Sequence, residues 1–251
     1  MTDEPFVYWF EKLEQRHLSN LNFSEVRRGV QALSSLYVER RNRRLTGGSA
    51  LEGAGKRAAF AMFYGALHFL IVREIVRGLK ARIPRGCSIV DLGCGTGVAG
   101  AAWALESHPK SKIIGVDRSP WVLEESKWTY KTLGLNGTVR PANVAEFHLP
   151  AKAAVIAAYT INELDDSARS RFHDEFIKIA ERGAPVLVIE PIARRLTPWW
   201  NEWDRDWGKA GGREDEWRFR IDLPERLALM DRAAGLDHRE LTARSLWLGA
   251  L

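Results

Sequence analysis

Two cysteines among 251 residues, Cys87 and Cys94, are too few for a disulfide framework or a structural zinc site. Histidine is scarce as well, and neither His148 nor His173 has a partner at metal-ligand spacing, so no metal is expected. The N-terminus lacks the basic start, apolar middle and small-residue cleavage site of a signal peptide. Long apolar runs are missing too. The longest, 58–72, contains His68 and is short for a bilayer, so a buried helix is expected there and no membrane partner. There are no repeats or low-complexity tracts. These absences exclude a disulfide scaffold, a zinc protein and a repeat array, and leave a globular protein expected in a reducing cytoplasm.

Charge is present but unevenly placed. Residues 1–90 hold 15 Lys and Arg against 8 Asp and Glu, and the rest hold 22 against 24, so the net +5 originates entirely ahead of residue 91. The excess gathers at Arg40, Arg41, Arg43, Arg44, Lys56 and Arg57. Such a cluster attracts phosphates, which makes nucleic-acid contact through the N-terminal segment one reading; a solvated helix end with a basic loop is the other.

Periodicity divides the chain. Helices are predicted over 5–19 and 24–42, the second with Ser24 as N-cap and Val26, Val30, Leu33 and Tyr37 at helical spacing. After a loop with Gly47, Gly48, Gly53 and Gly55, a third helix covers 57–79, with Phe60, Phe63, Tyr64, Leu67 and Ile71 on its apolar side. Three helices ahead of any strand predict an N-terminal helical cap over 1–83. Residues 84–251 then alternate: strands at 88–92, 112–116, 138–142, 153–160 and 185–189, with helices at 98–106, 120–133 and 165–181. Such βαβ order predicts an α/β fold, a parallel sheet covered on both faces. Thr197-Pro198 opens a further helix, and 217–222, where Trp217, Phe219 and Ile221 alternate with Arg218, Arg220 and Asp222, reads as a strand or an extended rim. A helix over 224–234 stops at Gly235, and 238–248 forms two short strands or one bent one.

The stretch that carries chemistry is Val90-Asp91-Leu92-Gly93-Cys94-Gly95-Thr96-Gly97. A buried strand ends in a carboxylate, and glycine at every second position then lets the backbone approach a ligand where a Cβ would clash. The helix that follows offers free N–H groups. A second carboxylate, Asp117, ends the next strand in Ile113-Ile114-Gly115-Val116-Asp117 and can accept hydrogen bonds from two ribose hydroxyls. Residues 95–100 also match G-x-G-x-x-G. Against a dinucleotide, Gly93 and Cys94 separate the strand from that pattern's first glycine, and Asp91 would set negative charge beside a pyrophosphate. A ligand carrying positive charge would gain from Asp91.

In these residues the chain resembles the class I S-adenosylmethionine-dependent methyltransferases, over about 86–250. Residues 90–97 are similar to that family's first motif and Gly115-Val116-Asp117-Arg118-Ser119-Pro120 to its second. The resemblance implies a Rossmann-like sheet, mostly parallel with an antiparallel C-terminal strand, and S-adenosylmethionine as cofactor. It places Asp91, Gly93 and Gly95 around the methionine end, with Cys94 and Gly97 in the same cofactor-binding loop, Asp117 on the ribose and Arg118 beside the adenine. The family usually has an acidic residue after its third strand for the adenine amino group. Here Asn143 stands in that place, followed by Val144, and Ala158 at the end of the fourth strand completes the expected set. Ala153 stands where an aspartate is common. A further likeness, in 35–40, 157–164 and 189–191, is to a methyltransferase-like family associated with the mitochondrial small ribosomal subunit and its bacterial relatives. The cysteine cluster of that family is missing, so no iron–sulfur role is implied.

Tyr159, Asn162 and Glu163 follow the fourth strand, at the edge where open α/β sheets bind ligands. One reading sets Tyr159 near the methyl group and Asn162 or Glu163 near the acceptor; the other has Asn162 or Asp165 capping the next helix while Tyr159 packs. Glu190 is a buried base, an acceptor-binding group, or an ion-pair partner of Arg194 or Arg195. Trp200, Trp203 and Trp207 share a helical face and either wall an acceptor site or pack in the core. The expected reaction is displacement of the sulfonium methyl by an O or N nucleophile, on a small molecule or on RNA. An activated leaving group leaves the protein mainly to align the reactants, so no strong catalytic constellation is required. The alternative is a catalytically weak cofactor-binding relative acting as an RNA or ribosome-assembly factor.

Overall fold

A computed structural model describes residues 4–42, 51–107, 110–236 and 238–249, the side chains of 36–42 excepted. The side chains of Tyr37, Arg40 and Arg41, and the whole of Arg43, Arg44, Gly47 and Gly48, therefore lie outside the described residues.

The chain divides into two compact units, Met1–His68 with Arg220–Leu241, and Phe69–Phe219 with Thr242–Leu251. Sequence periodicity sets the boundary at 83/84 instead. The difference arises because one helical stretch runs through residue 68 without a break, and because a late helix joins the N-terminal ones.

In the first unit, α1 (Glu4–Leu18) buries Phe6, Trp9, Phe10 and Leu13, an i, i+3, i+4, i+7 stripe. Helix α2 (Phe23–Asn42) begins one residue earlier than predicted, and its cap is Asn22 rather than Ser24. Asn22 Oδ1 accepts the Glu25 N–H at 3.0 Å and Glu25 Oε2 accepts the Asn22 N–H at 2.8 Å, a reciprocal capping box. Ser24 only donates to Asn22 Oδ1. Helix α3 (Ala54–Ala59) continues into a π-helical turn (Phe60–Gly65) and then α4 (Ala66–Leu79). Gly55, predicted in a loop, lies in α3, where a Cβ on Gly29 of α2 would run into its carbonyl. Late in the chain, α9 (Glu225–Ala233) returns to this unit: Arg226 pairs with Glu14 at 3.2 Å, and Ser34 Oγ donates to the Ala234 carbonyl at 3.2 Å.

By length and composition Ala54–Leu79 passes as a membrane span, with mean hydropathy 1.5 in its apolar window. That window is 78% buried inside the protein, as the buried-helix reading expects.

The second unit contains a seven-stranded sheet in the order β3-β2-β1-β4-β5-β7-β6. Its strands are β1 (Ser88–Leu92), β2 (Ile113–Asp117), β3 (Gly137–Pro141), β4 (Ala153–Ala158), β5 (Val186–Glu190), β6 (Arg213–Phe219) and β7 (Leu241–Leu248). β1 to β5 pair in parallel, and β7 runs antiparallel to β5. The region 238–248 thus holds one strand; of the two options for 217–222 the strand is found, but it starts earlier than expected, at Arg213, and ends at Phe219. Helices α5 (Val98–Ser107), α6 (Pro120–Thr132), α7 (Asp166–Glu181) and α8 (Trp200–Lys209) cover the sheet. Helix α7 starts where Asp165 Oδ1 accepts the Ala168 N–H at 2.8 Å. Helix α8 opens at Trp200, later than the Thr197-Pro198 signal, and its Trp200, Trp203 and Trp207 are core residues packed with Phe172 and Phe176. Strand order reverses between β1 and β4, so the carboxyl edge of those two strands is the crevice where such sheets bind ligands.

Candidate functional site

The crevice begins at Asp91, 1% exposed, one residue before the end of β1. Its Oδ2 accepts the Gly100 N–H of α5 at 2.8 Å, while Oδ1 is buried without a hydrogen-bond partner. Burial pushes the Asp91 carboxyl up to about 7; the Gly100 N–H works against the rise and Asp117 adds to it. Helix α5 comes this close because residue 100 is glycine: a Cβ there would lie 2.9 Å from Asp91 Oδ2.

Gly93, Gly95 and Gly97 all have positive φ, at 62°, 51° and 78°. For Gly93 the requirement is double. Its missing Cβ is replaced by the Thr160 side chain, whose Cγ2 would be 2.7 Å away and whose Oγ1 would be closer. Thr160 Oγ1 donates to the carbonyls of Leu92 (2.9 Å) and Ala158 (3.1 Å), joining the ends of β1 and β4. Gly93→Ala combines that clash with left-handed strain and should destabilise by at least ~2 kcal/mol. Urea unfolding checks this. Thr160→Ala in the same chain should restore only part of the loss, since the strain remains.

Cys94 is buried within the loop; its N–H donates to the Val116 carbonyl at 3.0 Å, and burial holds its thiol well up. Ser126 of α6, fully buried, donates to the Gly95 carbonyl at 2.6 Å and fixes the loop from below. Tyr130 fills the space that three glycines leave: a Cβ on Gly97 would meet its ring at 2.9 Å, one on Gly115 its hydroxyl at 2.8 Å, and one on Gly137 its Cβ at 2.6 Å. Sequence reading missed Ser126, Tyr130 and Thr160, which act on backbone brought near only by the fold.

Asp117 ends β2, half-buried. Its Oδ1 accepts the Ser119 N–H at 2.9 Å and its Oδ2 faces the Gly95 N–H at 3.4 Å, so loop and carboxylate share one edge. Arg118 is exposed beside it. Asn143 follows β3 and caps a short 3-10 turn: Oδ1 accepts the Ala145 N–H at 3.2 Å and Nδ2 donates to Glu146 at 2.9 Å. That cap leaves one lone pair on Oδ1 for any other donor. Val144 is half-buried in the same turn.

At the next strand ends, Ala158 and Tyr159 are half-buried. Tyr159 adopts φ 57°, a left-handed conformation rare for an aromatic residue. Its N–H donates to the Ile189 carbonyl at 2.8 Å, and burial beside Glu190 raises its phenol well above the usual range. Glu190, at the end of β5 and 1% exposed, accepts the Asn162 N–H at 3.0 Å. Burial pushes its carboxyl up to about 8. The ion pair expected with Arg194 or Arg195 does not form, because Arg194 reaches Glu216 at 3.0 Å and Arg195 is exposed. Asn162 takes part through its backbone, and Glu163 lies exposed in the same 3-10 turn. Among the described residues no group of three or more His, Cys, Asp or Glu could hold a metal.

A positive-φ glycine loop between two strand-end carboxylates, on a 3-2-1-4-5-7-6 sheet, defines a class of protein. Residues 89–183 match the family model described as a methyltransferase domain. The chain carries a class I, Rossmann-like methyltransferase domain, of the kind that uses S-adenosylmethionine. Carboxy-S-adenosyl-L-methionine synthase of Campylobacter jejuni is 30% identical over 121 residues, 47% of this chain and 51% of that protein. The chain thus spans about half the length of that relative. An uncharacterized methyltransferase of Emericella nidulans is 43% identical over 51 residues, 20% of this chain and 18% of its own. A solved S-adenosylmethionine-dependent methyltransferase of Aquifex aeolicus aligns at 16% identity and a TM-score of 0.48, covering 72% of this chain and 92% of the other.

Proposed function

We propose that the domain binds S-adenosylmethionine at the carboxyl edge of β1, β2 and β4 and transfers its methyl group to an O or N nucleophile of a small-molecule acceptor. The observation that carries this reading is Asp91 Oδ1, a buried carboxylate oxygen with no partner, beside a bare glycine loop. A buried anionic oxygen left alone is costly, and a cationic ligand group offsets that cost. A pyrophosphate would make it worse.

The residues take these roles. Asp91, Gly93, Cys94, Gly95 and Gly97 receive the methionine end, where Asp91 balances positive charge and the missing Cβ atoms leave backbone in reach. Asp117 holds the ribose, with Arg118 and Val144 flanking the adenine and Asn143 Oδ1 accepting from its amino group. Ala158 and Tyr159 border the reacting centre, and Asn162, Glu163 and Glu190 shape the acceptor side. When bound, the donor supplies a methyl on sulfonium: a new C–O or C–N bond forms as C–S breaks, and the electron pair leaves on sulfur as S-adenosylhomocysteine. The protein's share is alignment and exclusion of water, which contribute ~7–11 kcal/mol in well-oriented reactions.

Calorimetric titration tests the donor. S-adenosylmethionine should saturate near one equivalent, and NAD should give no heat above dilution. If the S-adenosylmethionine trace matches a buffer blank, the reading fails.

A further inference from the structure

Beyond the donor crevice, the next strand ends hold a buried cation that no described acid pairs with directly. Arg244 of β7 lies in register opposite Glu190 of β5, so the two side chains share a face of the sheet. It is 1% exposed, and its guanidinium lies 4.2 Å from the Trp200 ring centre. Both Nε and Nη2 are buried without a hydrogen-bond partner.

Each acid that bears on Arg244 is engaged elsewhere. Glu190 accepts the Asn162 N–H at 3.0 Å, Glu214 accepts Trp200 Nε1 at 2.8 Å, and Glu216 pairs with Arg194 at 3.0 Å. Of the described ion pairs none includes Arg244. An unpaired buried charge is among the most costly features a core can keep, and cores retain such groups where a ligand completes them. Nε and Nη2 form one edge of the guanidinium, the edge that meets both oxygens of a carboxylate side by side. The unsatisfied atoms are therefore a ready fork rather than two scattered donors.

The fork lies on the same strand-end edge as the proposed methyl-transfer centre. Gly93 packs on Thr160, Tyr159 precedes Thr160 in the chain, Tyr159 N–H bonds the Ile189 carbonyl, and Glu190 comes next, opposite Arg244. We propose that Arg244 is a carboxylate receptor and that the methyl acceptor is a small carboxylic acid, whose carboxylate docks on Nε and Nη2. This rests on the methyl-transfer reading for the word acceptor, but not for the receptor itself. Glu190, its carboxyl raised to about 8 by burial, stays largely protonated at neutral pH. It can therefore donate to the incoming carboxylate instead of repelling it. The phosphodiesters of a folded RNA are too encumbered to reach a side chain this deeply covered.

The test is thermal unfolding and calorimetry of the whole chain with acetate and benzoate, each against its amide, and with inorganic phosphate and a short oligoribonucleotide as competitors. Acids should raise Tm and bind at least ~10-fold tighter than amides, the ratio a charge-assisted fork contributes. Arg244→Met should remove that preference while keeping the Tm of the ligand-free protein or raising it, because an apolar side chain relieves the lone charge. Arg244→Lys keeps the charge but loses the fork, and should bind acids at least ~10-fold more weakly than wild type. Four results overturn the proposal: acids and amides bind alike; no acid binds at all; ligand-free Arg244→Met melts far below wild type, which marks a structural role; or phosphate or the oligoribonucleotide displaces benzoate more effectively than acetate does. A parallel S-adenosylmethionine titration keeps the two readings apart. Donor binding without acid preference sinks only the receptor, and acid preference without donor binding sinks only methyl transfer.

Discussion

Between about pH 6.5 and pH 8 the ligand-free protein should lose stability as the pH rises, and Glu190→Gln should remove most of that loss. The sign follows from which state holds the proton. Unfolded, the Asp91 and Glu190 carboxyls ionise near 3.8 and 4.5; in the fold, burial holds them at about 7 and about 8. Between those values the folded chain keeps protons that the unfolded chain has released, so each step up in pH favours unfolding. One group contributes at most ~1.4 kcal/mol per pH unit. His68 works the other way: burial lowers it from 6.5 to about 4, so its contribution favours folding as pH rises, but only below 6.5. Above that point Asp91 and Glu190, the two described carboxyls that burial raises furthest, set the slope, first together and then mainly Glu190. Glu190→Gln keeps an acceptor for the Asn162 N–H and removes the titration. Urea midpoints measured across the window should slope downward in wild type and much less steeply in the variant, which flattens toward about pH 8 as Asp91 loses its proton. Equal slopes in both proteins would mean that Glu190 is ionised in the fold, with Arg244 as its partner, and would count against the receptor as well.

The parts of this molecule that were legible in its sequence are those whose physics is local. β1 and the loop after it are readable because a short apolar strand, an acid and alternating glycines occupy ten consecutive residues, and the strand bounds agree at Ser88–Leu92. The cap of α2 was legible but misread: Asn22 with Glu25 three residues on is the capping-box pattern, and Ser24 lies inside the first turn. The parts that failed to show depend on distance along the chain. Tyr130 explains Gly97, Gly115 and Gly137 at once, yet nothing near any of those glycines names it. Glu190 and Arg244 become neighbours only through an antiparallel register 54 residues apart, which is why a nearby arginine looked like the natural partner. The unit boundary was hidden for the same reason, since α9 joins helices some 200 positions earlier, as the Ser34–Ala234 bond records.

Asp117→Ala should weaken S-adenosylmethionine binding by ~10²–10⁴-fold while leaving the fold intact. A carboxylate at the end of β2 can accept from two vicinal hydroxyls, and each charge-assisted bond is worth about 1.5–3 kcal/mol. The local cost of the change is smaller. The Ser119 N–H bond at 2.9 Å is at a half-exposed helix start where water can replace it, and the Gly95 N–H contact is already long at 3.4 Å. Melting should therefore shift little, which separates this variant from Gly93→Ala, where the loop itself gives way. Asp117→Asn retains one acceptor oxygen and should fall between, losing about one bond's worth of affinity. Asp91→Asn offers the electrostatic contrast. It keeps an acceptor for the Gly100 N–H, so any loss of donor affinity there reflects charge facing the methionine end and should grow in low salt, whereas the loss at Asp117 should be insensitive to salt. Wild-type affinity in Asp117→Ala would move the ribose off β2 and with it the orientation of the donor, because no other carboxylate described at that edge stands where two hydroxyls could share it.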